Sequence, residues 1–137
     1  MLLARLLLTA TALGFGLAPF VTDLSMSHAF NPDWPAHARF HTVWLVLVLA
    51  ALALVMLVMT WRGKPADARA NLAVAAAIGW TALAPFGLAA LAMPAYGGAL
   101  AGREHEILVF GVNSNLIGFG VGAAMLAAAT WLVMRRN

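Results

Sequence analysis

Residues 40–61 read FHTVWLVLVLAALALVMLVMTW, a stretch in which His41, close to its start, is the one titratable side chain. A helix needs about 20 consecutive apolar residues to cross the hydrocarbon core of a bilayer. Three more apolar stretches occupy residues 2–21, 72–93 and 109–134. The sequence therefore predicts an all-α integral membrane four-helix bundle, with helices at about 2–21, 40–61, 72–93 and 109–134, in a single domain spanning residues 1–137.

The composition excludes several classes of protein. Hydrophobic residues make up 64% of the chain and charged residues 9%, which is far from the proportions of soluble domains. The chain has no cysteine, so disulfides, thiolate metal sites and covalent haem attachment are excluded. The net charge of +3 comes from basic residues at segment ends, which indicates membrane topology. We therefore predict no nucleic-acid partner.

The basic residues also predict the orientation of the chain. The first and third connections contain Arg39 and Arg103, whereas the two terminal segments and the second connection hold Arg5, Arg62, Lys64, Arg69, Arg135 and Arg136. Cytoplasmic loops carry an excess of Lys and Arg, so both termini are predicted to be cytoplasmic. The expected location is the cell membrane, as a multi-pass protein, and this would be the inner membrane of a Gram-negative bacterium. The lipid bilayer is then its main partner.

The first apolar segment has an alternative interpretation, as a signal peptide cleaved near the small residues Ser27 and Ala29. The apolar core of a signal peptide usually has about 7–15 residues, and this segment is longer. We therefore expect a retained helix.

The first connection contains HAFNPDWPAHARFH, residues 28–41, which includes three of the four histidines. Proline suits the first turn of a helix, because its missing N–H would have no partner there. The second helix is therefore predicted to begin close to Pro35. His37 and His41 would then lie on one side of that helix, since residues four apart are neighbours on a helix surface.

A second polar cluster, Arg103-Glu-His-Glu106, precedes the fourth apolar segment. The first and third connections of an up-and-down bundle emerge at the same end, so the two clusters are predicted to meet. Imidazole and carboxylate ligands suit zinc, iron or copper, and the candidate metal ligands are His28, His37, His41 and His105. The same groups suit acid–base catalysis, with His37, His41 and Glu104 as candidate catalytic residues. A polar collar at the membrane interface is the alternative.

Four further residues are candidates for contact with a substrate. Arg39 would hold an anionic group or pair with an acid. Trp34 would stack on the substrate or, as an alternative, anchor the chain at the membrane interface. Asn113 and Asn115 lie in an otherwise apolar run, where an unsatisfied amide is costly, so they would bind substrate, bond to neighbouring helices or mark a helix start.

Gly118 and Gly122 form a Gly-x-x-x-Gly face on the fourth segment. Small residues let membrane helices approach closely. The face predicts either close packing inside the bundle or a homo-oligomer through these two glycines.

The stretch from Asn31 to His41 resembles an uncharacterised family of small four-helix membrane proteins. Members of that family carry the signature His…Asn-Pro-x-Trp-Pro-x-His-Ala-x-Phe-His after the first helix, and the residues here are His28 and NPDWPAHARFH at 31–41. The resemblance implies a four-helix membrane fold and implies no particular activity.

These observations lead to two functional hypotheses. The first is a membrane-embedded enzyme, metal-dependent or acid–base, that acts on a hydrophobic small molecule at a site on the non-cytoplasmic face. The second is a non-catalytic membrane protein, which would be a metal or small-molecule binder, a transporter component or an accessory subunit.

Overall fold

The computed structural model describes residues 1–102 and 105–135. These residues form four long helices: α1 (Leu2–Thr22), α2 (Ala36–Trp61), α3 (Ala68–Tyr96) and α4 (Ser114–Met134). A 3₁₀ turn (Pro65–Asp67) precedes α3, and two short strands, β1 (Leu108–Val109) and β2 (Val112–Asn113), precede α4. Each of the four helices is long and apolar enough to cross a membrane. The predicted all-helical fold with four such helices is therefore confirmed.

The start of α2 is as predicted, because Pro35 is its N-cap residue and Ala36 its first helical residue. In contrast, α3 is longer than the predicted 72–93. It continues through Pro85 and Pro94, since a proline removes one backbone hydrogen bond and a membrane-type helix tolerates that loss. The helix ends at Tyr96, and the φ of 69° at the next residue, Gly97, is the left-handed conformation typical of a glycine after a helix.

The fourth helix begins at Ser114, within the range of 107–115 that the sequence allows but later than about 109, because a β-hairpin occupies residues 108–113. Leu108 pairs with Asn113 and Val109 with Val112. The two residues between the strands, Phe110 and Gly111, have φ angles of 51° and 78°. Positive φ at both positions is the requirement of a type I′ turn, which connects tight hairpins. The turn therefore keeps this apolar run out of the helix.

The helices form an up-and-down bundle. Within it, α1 and α3 each pack against α2 and α4, and α1 also touches α3 across the centre. Arg5, Arg62, Lys64, Arg69 and Arg135 lie at one end, which we call the basic end. The opposite end, with residues 23–35, 97–102 and 105–113, is called the histidine end.

Most of the core lies toward the basic end. Leu8, Met56, Leu72 and Leu126, one from each helix, are completely buried there. Polar contacts between helices add to this packing. The Trp61 indole donates to the Thr9 hydroxyl at 2.9 Å, and the Trp80 indole donates to the Thr130 hydroxyl at 3.2 Å. The bundle is thus closed at its basic end.

Arginines tie the helix termini together at the same end. The guanidinium of Arg5 donates to the Thr60 carbonyl and lies over the Trp61 ring, 5.5 Å from its centroid. Arg69 donates to the carbonyl of Met134 at 2.8 Å and to that of Arg135 at 3.0 Å. Carbonyls in the last turn of a helix lack partners within the helix, so these side chains satisfy them.

Candidate functional site

His28 and Trp34 pack against each other within the first connection. Their rings meet edge to face with centroids 5.2 Å apart. The Nδ1 atom of His28 lies 2.8 Å from the Ser27 hydroxyl. Both rings are half-buried. The contacts that the structure gives to these two residues therefore serve the fold of the connection.

His37 and His41 form a close pair on α2. Their Nε2 atoms are 3.0 Å apart and their ring centroids 4.4 Å apart. One ring donates the N–H and the other accepts, so the pair holds a shared hydrogen bond. Two nitrogens on one tetrahedral zinc, each at about 2.0–2.1 Å, lie roughly 3.3 Å apart. The pair is therefore close to the geometry of half a metal site.

The other predicted metal ligands do not join this pair. Within residues 1–102 and 105–135, no three His, Asp or Glu side chains come together in a group that could hold a metal ion. His28 is held by Ser27 and Trp34 instead, and His105 is an exposed residue whose backbone N–H donates to the Gly102 carbonyl. Glu104, the predicted catalytic carboxylate, lies outside the described residues.

Arg39 lies two residues from each member of the pair and so on a different side of α2, since residues two apart do not face each other. It is half-buried, whereas His37 and His41 are exposed. Arg39 is therefore not placed to bind an anion together with His37 and His41.

The two predicted substrate-binding asparagines differ in position. Asn113 is buried and caps α4, because its side-chain oxygen accepts from the Asn115 N–H at 2.9 Å. Its amide group donates to Glu106 at 3.2 Å. Asn115 donates from its side chain to the Leu100 carbonyl at 2.7 Å. Asn113 thus forms the start of α4, whereas Asn115 also lines a cavity of the bundle.

A cavity of about 570 Å³ lies toward the histidine end of the bundle, and we call it the lateral cavity. Most of its wall comes from α1 and α4, while Leu45 and Leu49 of α2 and Leu83 and Phe86 of α3 complete it. Phe86 stacks on Phe119, another lining residue, with ring centroids 3.6 Å apart. Small-molecule sites typically have about 300–1,000 Å³, so the lateral cavity is of suitable size.

The lateral cavity opens on the side of the bundle. Gly14 and Ala18 of α1, and Gly118 and Val121 of α4, line it and remain exposed. Leu45 of α2, another lining residue, is exposed as well. The lining therefore reaches the sides of α1, α2 and α4, three helices that are long and apolar enough to cross a membrane.

The lining is polar at the histidine end. Thr22 and Asp23 at the end of α1, and Ser114 and Asn115 at the start of α4, line this part. The Thr22 hydroxyl lies 2.8 Å from the Asp23 carboxylate, where it is placed to donate a hydrogen bond. The wall of the lateral cavity is therefore mostly apolar, and its polar part, formed by Thr22, Asp23, Ser114 and Asn115, is called the polar mouth.

The close helix packing expected at Gly118 and Gly122 is not what the structure shows. A Cβ atom added at Gly118 would meet nothing within 4 Å, and one at Gly122 would make ordinary contact with Leu83 at 3.4 Å. Both glycines line the lateral cavity, so their small size leaves space inside the bundle. The homo-oligomer through this face stays a prediction.

Sequence reasoning missed the lateral cavity and the place of Asp23 in it. The available signals were an acid directly after the first apolar segment and small residues on both α1 and α4. These signals did not identify the cavity, because its walls depend on which helices face each other.

One comparison with known proteins gives a result. A model described as a family of unknown function, DUF6640, matches residues 7–131, which is most of the chain. The chain belongs to the DUF6640 family. Searches of the curated proteins and of the solved structures found no match to this chain. The DUF6640 match includes parts of all four helices and every residue that lines the lateral cavity.

Proposed function

We propose that this protein is a multi-pass protein of the cell membrane, which would be the inner membrane in a Gram-negative bacterium, with both termini in the cytoplasm. The length and apolar character of the four helices support insertion. The charge distribution supports the orientation, since the basic end holds Arg62, Lys64 and Arg69, while Asp23 and Asp33 lie at the histidine end.

Within the membrane, the protein binds a hydrophobic or amphipathic small molecule in the lateral cavity. The observation that carries this proposal is the cavity of about 570 Å³, with an exposed edge formed by lining residues of α1, α2 and α4. In an inserted bundle that edge faces acyl chains, so a molecule dissolved in the bilayer reaches the cavity without crossing water. The polar mouth then lies toward the non-cytoplasmic membrane surface.

The membrane changes which interactions favour binding. Acyl chains are as apolar as the cavity wall, so transfer of an apolar chain from lipid to protein gains little from the hydrophobic effect. Shape complementarity and polar contacts at the mouth must therefore supply most of the affinity. A ligand with a polar head and an apolar tail fits both parts of the lateral cavity.

The test is a pair of glycine substitutions on α4. Gly118→Leu adds a large side chain to a residue that lines the lateral cavity, at a position where an added Cβ meets nothing within 4 Å. In Gly120→Leu the change is the same and the space is equally open, yet Gly120 does not line the cavity. Native mass spectrometry of protein purified in a mild detergent measures the small molecule retained per chain.

We expect a molecule retained at one per chain in the unchanged protein and in Gly120→Leu, and its loss in Gly118→Leu. Retention by both variants would contradict binding in the lateral cavity. Both variants should unfold at similar temperatures, since neither leucine meets a neighbouring atom at its Cβ.

A second candidate function is catalysis by His37 and His41. The observation that favours it is the Nε2–Nε2 distance of 3.0 Å, because such a pair can share a proton in acid–base chemistry or supply two ligands to a metal. His41 precedes Leu45, a lining residue, by one helical turn on the same side of α2. His41 therefore lies one helical turn beyond the last residue of α2 that lines the lateral cavity on that side, Leu45.

Elemental analysis of the purified protein tests the metal form of this candidate. Stoichiometric zinc, iron or copper that is lost in the His37→Ala/His41→Ala double variant would support it. His28→Ala is the matched control, since His28 lies outside the pair, and it should retain the metal. Metal that persists in the double variant would contradict a site at the pair.

A further inference from the structure

One charge stands at the polar mouth of the lateral cavity. Of the residues that line it, Asp23 is the charged one, and all of the lining lies in the described part of the chain. Thr11, deeper in the wall, uses its hydroxyl within α1 by donating to the Leu7 carbonyl at 2.9 Å. The electrostatics of the cavity are therefore set by Asp23.

Among residues 1–102 and 105–135, the side chain that hydrogen-bonds to the Asp23 carboxylate is that of Thr22. Thr22 is placed to donate to one carboxylate oxygen, which is a neutral contact. At the start of α4, one N–H of the Asn115 side-chain amide donates to the Leu100 carbonyl, and the amide oxygen is an acceptor. The mouth thus offers the oxygens of Asp23 and Asn115 as acceptors to a ligand.

The start of α4 carries a partial positive charge, which has to be weighed against Asp23. A helix N-terminus is equivalent to roughly +0.5 of an elementary charge. Here the N–H groups of Ser114 and Asn115 already have partners, the Ile107 carbonyl and the Asn113 side chain, each at 2.9 Å. The full negative charge of a carboxylate, next to the negative C-terminal end of α1, outweighs this. Among the described residues that line it, the balance of charge at the mouth is therefore negative.

We infer that the lateral cavity selects an amphiphile with a protonated amine as its head, held by the Asp23 carboxylate and with its chain among Phe15, Phe86 and Phe119. This inference rests on the proposed binding function. A charge-assisted hydrogen bond contributes more than one between neutral groups, and most of all away from bulk water. Because apolar burial contributes little from lipid, the head contact decides which amphiphile binds.

The test compares three probes with the same chain: dodecylamine, dodecanol and dodecanoate. Each is titrated into the protein in a non-ionic detergent, and native mass spectrometry gives the affinity for one molecule per chain. We expect dodecylamine to bind about tenfold more tightly than dodecanol, and dodecanoate to bind more weakly than both. Asp23→Asn removes the charge but keeps an oxygen that accepts from Thr22, so it should abolish the preference for the amine.

Asp33→Asn is the matched control, because Asp33 lies in the same connection without lining the cavity. It should keep the preference for dodecylamine. Comparing the amine-to-alcohol affinity ratio between variants cancels the different partition of the probes into detergent micelles. An unchanged ratio in Asp23→Asn, or equal binding of all three probes, would overturn the amine-head inference while the binding function stands. No probe bound at one per chain would overturn the binding function itself.

Discussion

Asn113 is buried, and both polar atoms of its side chain have a partner. The oxygen caps α4 through the Asn115 N–H, and the nitrogen reaches Glu106. The sequence raised three roles for it: substrate contact, helix–helix bond and helix start. The third is the one that the structure gives, because a cap removes an unpaired donor from an apolar region.

At this residue we predict that Asn113→Ala lowers the free energy of unfolding by about 0.5–2 kcal/mol, the usual cost of a lost N-cap. Asn113→Ser should recover much of the loss, since serine also caps well. Unfolding in mild detergent, followed by circular dichroism, measures both. Equal losses in the two variants would show that the cap is not what stabilises this region.

Among the helix glycines, Gly16 of α1 lies closest to a neighbouring helix, which is α2. A Cβ atom at Gly16 would overlap the Cβ of Ala53, whereas one at Gly14 would meet nothing within 4 Å. Small residues at a crossing let two backbones come together. The helix that uses such an approach is α1, through Gly16, whereas Gly118 of α4 does not.

These two glycines of α1 provide a matched prediction for the element. Gly16→Ala should lower the free energy of unfolding by about 1–3 kcal/mol, because the helices must separate to accept a methyl group. Gly14→Ala should be neutral or stabilising by up to about 1 kcal/mol, since alanine favours helix and has room there. Thermal unfolding of the two variants in the same detergent measures both changes. A Gly16→Ala variant as stable as the unchanged protein would contradict the close contact between α1 and α2.

The elements were predictable to different degrees. Hydropathy located all four helices, and Pro35 located the start of α2, because both signals are local. The hairpin before α4 was missed, since residues 107–112 are as apolar as the helix that follows. Gly111 was the signal for a turn, and the positive φ of Phe110 beside it is a conformation that few non-glycine residues adopt.

The bundle is tightly packed at its basic end and contains a cavity toward its histidine end. Side chains from all four helices fill the basic end, while the lateral cavity occupies the histidine end. The proximity of His37 and His41 followed from their spacing. The cavity and its acid did not, because they depend on the pairing of α1 with α4, which no local pattern in either helix specifies.

The orientation of the molecule can be tested through its lack of cysteine. We predict that a membrane-impermeant maleimide labels Asp33→Cys in intact cells, because residue 33 lies at the histidine end. Lys64→Cys, at the basic end, should be labelled after the membrane is permeabilised and not before. The reverse pattern would place the histidines on the cytoplasmic side, and labelling of both in intact cells would contradict insertion.

The sideways opening of the lateral cavity determines which concentration matters for binding. For a protein inserted as we propose, the ligand is in equilibrium with the bilayer, so occupancy follows the mole fraction of ligand in the lipid and not its concentration in water. An amphiphile that is almost insoluble in water still reaches a high local concentration there. A site with modest intrinsic affinity would then stay largely filled, and its occupancy would fall when the bilayer is diluted with other lipid at constant ligand.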